Sequence, residues 1–217
     1  MSVEKAGLRA RLGGRQPVLR PSPLTMQVDY SVELGRDDET LEFPWTTHDG
    51  RLWYFDLKRD PEAVAQIEEA VRAEELRDFL LAANAPLSML ETAKCDIWST
   101  TELNPEEEIF SAPWKFASYV DFLFSDPAAR FSLEKHESFL KNLTALLKRV
   151  PEIPAAADFF LRRCFYQKKS FVEEGFYVTF YLFGYGQDEA KARKQWGIAL
   201  NLVAAAITQL SVGNSSL

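Results

Sequence analysis

Three times along this chain, two runs that alternate apolar and polar residues give way, at an acidic residue, to a run whose apolar positions recur every three or four residues. Alternation sends successive side chains to opposite faces of a strand, and the longer period gathers apolar residues on one side of a helix. The corners between the two patterns resemble one another: FDLKRDPEAV (55–64), LFSDPAARFS (123–132) and LFGYGQDEAK (182–191). A strand-strand-helix pattern repeated three times predicts an α+β fold: a mostly antiparallel sheet of about six strands with two or three helices on one face. Strands with one polar side favour antiparallel pairing over a parallel sheet buried on both faces.

The alternating runs are 26–34, a stretch from Phe43 through TTHDGRLWYFDL, 94–102, 115–125, 158–167 and 174–185. Asp49-Gly50 between extended runs predicts a hairpin. Asp60-Pro61-Glu62 opens the first helix, with Asp60 as cap and Pro61 at the first helical position. Val64, Ile67 and Val71 form one stripe there, and Leu76, Phe79, Leu80 and Ala83 form a shifted one, so a bend is expected near Ala73. A second helix over 132–149 carries Leu133, Phe139, Leu140, Leu143, Leu146 and Leu147 on one side. The last, capped by Asp188, carries Trp196, Ala199, Leu200, Val203, Ile207 and Leu210.

That last passage, from Gly184 through Asp188-Glu189-Ala190 to Arg193 and a long helix, resembles the helix-grip ligand-binding folds. The resemblance covers about 25 residues. It implies an alternative architecture, a curved sheet around the C-terminal helix. The apolar helix at 132–149 stands where that architecture needs uninterrupted strands.

Charge divides the chain further. Net charge is −7, but residues 1–25 hold five basic residues (Lys5, Arg9, Arg11, Arg15, Arg20) against Glu4, leaving 20 basic and 31 acidic residues for the rest. The expected organisation is a basic N-terminal arm over 1–24, one α+β domain over 25–211 and a frayed tail over 212–217. No uninterrupted apolar run reaches 18 residues, so no membrane span is expected. The arm has no apolar core of a signal peptide. Cys95 and Cys164 lie 69 residues apart in apolar surroundings, which fits a reducing, cytoplasmic setting.

Most catalytic chemistries lack their residues here. There is no G-x-S-x-G elbow, no G-x-G-x-x-G or Walker-type loop, and no second His for a zincin pair. His48 reads as a turn residue and His136 as a core histidine. Asp37-Asp38-Glu39 and Glu106-Glu107-Glu108 are contiguous acidic loops without metal-ligand spacing. No metal and no cofactor is expected, and an acidic body argues against nucleic acid.

What remains is the second side of the sheet. Alternation puts Tyr177 and Tyr181 opposite the apolar side of 174–185, and splits the other strands so that Tyr119, Asp121, Arg162, Tyr166, Asp96 and Trp98 can share their side. Tyrosine joins apolar area to a hydrogen-bonding tip, as ligand clefts and interfaces require. These eight are the candidate residues for binding a small molecule, a protein partner or a second copy of the chain. The predicted function is non-catalytic association or ligand binding; the alternative is a small enzyme with an Asp/Arg/Tyr cleft on the same face. Whether the eight truly meet depends on strand order.

Overall fold

The element order keeps the strand-strand-helix rhythm. In the computed structural model, which describes residues 26–45, 54–150, 153–168 and 171–214, the chain begins with β1 (Gln27–Val32) and β2 (Thr40–Phe43). A 3-10 segment (Pro61–Gln66), α1 (Glu68–Arg72) and α2 (Glu74–Ala83) follow. Then come β3 (Leu90–Thr100), a 3-10 segment (Pro105–Phe110), β4 (Trp114–Phe124), a 3-10 turn (Ala129–Phe131) and α3 (Leu133–Leu147). The long hairpin β5 (Ala155–Lys168) and β6 (Phe171–Gly186) leads into α4 (Glu189–Asn214). The residues 1–24, His48 and the Asp49-Gly50 hairpin lie outside the described residues.

All six strands among the described residues share one sheet, ordered β1-β5-β6-β4-β3, with β2 continuing the β1 edge along β5. The β5–β6, β6–β4 and β4–β3 pairs are antiparallel; β1 and β2 run parallel to β5. The first strand pair is therefore no hairpin. β2, with Leu41 and Phe43 alternating against Glu42, went unrecognised in the sequence because it has only four residues.

One face of the sheet carries the helices. Phe159, Leu161, Val178, Phe180, Leu182, Val120 and Phe122 enter a single apolar core with Leu76, Phe79, Leu80, Leu140, Leu143, Trp196, Leu200 and Val203. β6 and α4 come unusually close: a Cβ on Gly184 would lie 2.2 Å from the Trp196 backbone nitrogen, and one on Gly186 would lie 2.4 Å from that of Ala192. Glycine is what permits this approach. The Trp196 indole then reaches the sheet, donating to Ser118 Oγ at 2.9 Å. α4 shares its layer with α2 and α3, so the arrangement is an open sheet under several helices and not a sheet wrapped around one.

The helices depart from the sequence reading at Asp60, at Val71 and at the end of the last helix, while the bend expected near Ala73 and the Asp188 cap are both present. Asp60 makes no side-chain cap, and the chain turns as a 3-10 segment first. The bend falls at Ala73, between α1 and α2, and it turns Val71 outward to 69% exposure while Ala70 packs inside. α4 continues through Asn214, past the start of the expected tail, and Asp188 caps it by accepting from the Lys191 N–H at 2.8 Å. Among the described residues α4 alone is long and apolar enough to cross a membrane by length and composition, with a best-window mean hydropathy of 1.4. The expectation of no such segment counted only uninterrupted apolar runs. In the fold, 44% of that window is buried against the protein.

Candidate functional site

Side chains on β3 to β6 that do not meet the helices project from the opposite face, and the register decides which of them stand together. Asp96 lies opposite Tyr119, Tyr119 opposite Tyr181, Tyr181 opposite Asp158 and Asp158 opposite Asp29. One row thus crosses the sheet from edge to edge as Asp-Tyr-Tyr-Asp-Asp. The next row holds Asp121, Thr179, Phe160 and Ser31, and the row on the other side holds Trp98, Ala117, Phe183 and Ala156. Arg162 faces Tyr177, with Tyr166 four residues further along β5 on the same side. All eight sequence-derived residues therefore share one face.

They do not share one environment. At one end of the face, Tyr166 and Tyr177 are buried with Leu41, Phe43, Leu123 and Cys164 in a second small core. Leu41 and Phe43 of β2, with Tyr54, pack on them; Phe43 lies edge-on against Tyr54 at 4.7 Å and Tyr166 at 5.9 Å. The Tyr166 hydroxyl is spent on the Phe176 carbonyl at 2.8 Å. Arg130 closes this end, lying over the Phe43 and Tyr166 rings and paired with Glu91. Tyr166 and Tyr177 are packing residues here.

At the other end the Pro105–Phe110 segment forms a wall. Glu107 anchors it, accepting from both the Lys115 ammonium at 2.9 Å and the Tyr185 hydroxyl at 2.7 Å. Phe110 stacks on Tyr185 at 4.0 Å. Between the two covered ends Tyr119, Tyr181, Phe160, Phe183 and Trp98 remain half-buried, with Asp96 and Asp29 exposed at the two edges. The rings touch in sequence across the floor: Tyr119 to Tyr181 at 5.8 Å, Tyr181 to Phe160 at 5.7 Å and Tyr181 to Phe183 at 6.3 Å.

Asp121 and Arg162 sit beneath the boundary of the covered end, joined by Thr179. The Thr179 hydroxyl donates to Asp121 Oδ1 at 2.8 Å and accepts from Arg162 Nη1 at 3.3 Å. Arg162 also donates to Glu33 Oε2 at 2.8 Å and Glu39 Oε2 at 2.5 Å. Burial alone would weaken its charge, but the hydrogen bond to Glu33 and the charge of Glu39 reverse that and hold the guanidinium protonated. Asp121 is only 5% exposed, and burial pushes its carboxyl up to about 7, with the Thr179 hydrogen bond and Lys94 pulling the other way. The pair is linked, but Arg162 is already committed to two glutamates and is not a free clamp.

Other reactive groups are masked by burial. Both thiols are pushed up to about 12. The phenols of Tyr119, Tyr166 and Tyr177 are raised as well, so they stay neutral. His136 lies on the helix side, on the far face from Asp121, and burial lowers it to about 4. Among the described residues no group of three His, Cys, Asp or Glu side chains is placed to hold a metal.

Two hollows flank the floor. One, about 620 Å3, opens at the β3 edge where the ladder shifts between Thr92 and Cys95; Trp45, Phe55, Leu80, Cys95 and Tyr119 line it, with Lys94, Glu68 and Glu69. A β-bulge of this kind re-aims side chains at an edge, and the Lys94 ammonium lies 4.7 Å from the Trp45 ring centre. The other, about 640 Å3, lies at the β1 end beside Phe183 and Asp158. Sequence reasoning left Phe160, Phe183, Asp158 and Asp29 out of the candidate set. The alternation Asp158-Phe160-Arg162 already placed two of them on the right side of β5.

No protein-family model, curated protein or solved structure matches this chain.

Proposed function

We propose that the protein is a non-catalytic association or ligand-binding domain, and that the half-open middle of its helix-free sheet face is the binding surface. The observation that carries this reading is the in-register row Asp96-Tyr119-Tyr181-Asp158-Asp29, left between two covered ends. Large rings held half-exposed by the backbone offer contact area at little entropic cost, and carboxylates at their edges select a partner that brings positive charge. The rings are pre-positioned by the strands, so binding need not order them.

The test is thermal stabilisation of the full chain by arginine methyl ester, spermidine and an acetylated tetra-arginine peptide. At least one should raise the melting temperature, and Tyr119→Ala/Tyr181→Ala should abolish that rise. No stabilisation by any probe, or stabilisation that survives the double variant, overturns the reading. A second copy of the chain is one partner the same face suits. A solution mass of twice 24.7 kDa that reverts to 24.7 kDa in the double variant would identify it.

A second reading, a small enzyme using Asp121, draws on that carboxyl's position near neutrality, where a group both takes and gives protons. Against it stand the burial of Asp121 and the commitment of Arg162 to Glu33 and Glu39. Probe stabilisation unchanged in Asp121→Asn favours the binding reading over this one.

A further inference from the structure

The hollow at the β1 end has carboxylates of two kinds. Glu107 is saturated by Lys115, Tyr185 and the Asn104 N–H at 2.6 Å. Asp158 is not. Its carboxyl lies above the ordinary range because burial disfavours its anion and the charges of Asp29, Glu107 and Glu106 add to that. Among the described residues no ion pair offsets it, and Lys148 is the remaining cation on the lining. Phe183 supplies a ring beside these acids, with the Lys115 ammonium 5.4 Å from its centre. Such a hollow suits a guanidinium, which pairs with carboxylates while lying flat on an aromatic face.

The sequence holds a segment of that chemistry in the right place. Residues 1–24 carry Lys5, Arg9, Arg11, Arg15 and Arg20 against Glu4 alone, and only Thr25 separates them from Met26, which lines the hollow. Arg20 is six residues from Met26, a span of at most about 20 Å even fully extended. We propose that this hollow is the docking site of the chain's own residues 1–24, held by arginine–carboxylate contacts to Asp158, Asp29 and Glu106. A tethered segment meets the hollow at millimolar-scale effective concentration, so weak contacts suffice. The proposal rests on the reading of this face as a binding surface, and it names what occupies its β1 end.

Limited trypsin digestion of the full chain tests it, reading cleavage after Arg9, Arg11 and Arg15 by mass spectrometry. Cleavage should be about tenfold slower in the natural sequence than in Asp29→Asn/Glu106→Gln/Asp158→Asn, the ratio that 1.4 kcal/mol of docking gives. High salt should erase the difference. The variant neutralises repelling carboxylates, so its melting temperature should be no lower than that of the natural chain. Carbodiimide coupling should join Lys5 or the terminal amine to one of the three acids at the mass of one chain. Equal cleavage rates overturn the proposal, and so do couplings elsewhere or at twice the mass, the latter pointing to a second copy. Failure here leaves the effect of Tyr119→Ala/Tyr181→Ala on probe binding intact. Failure of the binding reading leaves the cleavage contrast intact.

Discussion

Phe180 and Tyr181 are successive residues of β6, yet they belong to two differently built halves of the molecule. Phe180 is fully buried and touches Phe159 at 4.9 Å, Phe122 at 5.6 Å and Phe79 at 5.9 Å. Tyr181 is half-exposed, and its ring neighbours are the floor residues Tyr119, Phe160 and Phe183. The helix face is filled by interdigitating apolar shapes, where a lost ring leaves a void. The other face is fastened at its ends by hydrogen-bonded ion pairs and leaves its middle open. The helix face holds the main apolar core, and the proposed binding surface lies on the face outside it. Phe180→Ala should therefore give the largest loss, about 3–5 kcal/mol of unfolding free energy in a denaturant titration. A loss below about 1 kcal/mol would mean that the helix layer is not the stabilising half.

The two halves also differ in how burial meets charge. His136, on the helix side, donates from Nδ1 to the Ser132 carbonyl at 2.8 Å, and its Nε2 is buried. Its folded pKa is lowered to about 4 from 6.5, so its contribution is full above 6.5 and is lost as pH falls toward 4. Asp121, on the open side, is raised from 3.8 to about 7, so its contribution is full below 3.8 and is lost as pH rises through 7. Asp121→Asn keeps an acceptor for Thr179 and removes the buried charge. It should stabilise the protein at pH 8 by up to about 4 kcal/mol and leave stability near pH 3.5 almost unchanged. Smaller in extent, His136→Leu should remove up to about 3 kcal/mol of the stability lost between pH 6.5 and 4. Melting curves across pH for both variants measure the two slopes. Slopes of the same sign would erase this contrast between the faces. The Asp121 charge is a cost that the covered end bears at neutral pH and above.

Much of this division is legible from alternation alone. Val178, Phe180 and Leu182 against Tyr177, Thr179 and Tyr181 already separates the faces of β6, and the eight candidates fall on one side because parity in a strand survives folding. What alternation lacks is the identity of the neighbour. Nothing local says that β1 and β2 both run parallel to β5, since parallel pairing joins residues more than 120 positions apart. Hence nothing local says that β2 covers Tyr166 and Tyr177 or that Glu33 and Glu39 take Arg162. The bulge between Thr92 and Cys95 shifts parity within β3, and a pattern begun at Lys94 reads only its second half. Asp158 was passed over because a lone carboxylate in a strand gains meaning only when Asp29, Glu106 and Glu107 are brought beside it.

The smallest expected effect is the sharpest probe of the comparison. Tyr181 is not enclosed and, among the described residues, makes no hydrogen bond to a second residue that its loss would orphan, so Tyr181→Ala removes ring contacts without opening a buried void. Its cost should be about 1.5 kcal/mol, three aromatic pairs at the low end of their range. Phe180→Ala, one residue away, should cost two to three times as much in the same titration. If the two costs converge, then the helix-free face is as tightly enclosed as the core, and the open floor on which binding depends is not there. If they diverge while probe stabilisation is lost only in Tyr181→Ala, the two faces have separate tasks: Phe180 holds the sheet to its helices, and Tyr181 holds what comes to the sheet.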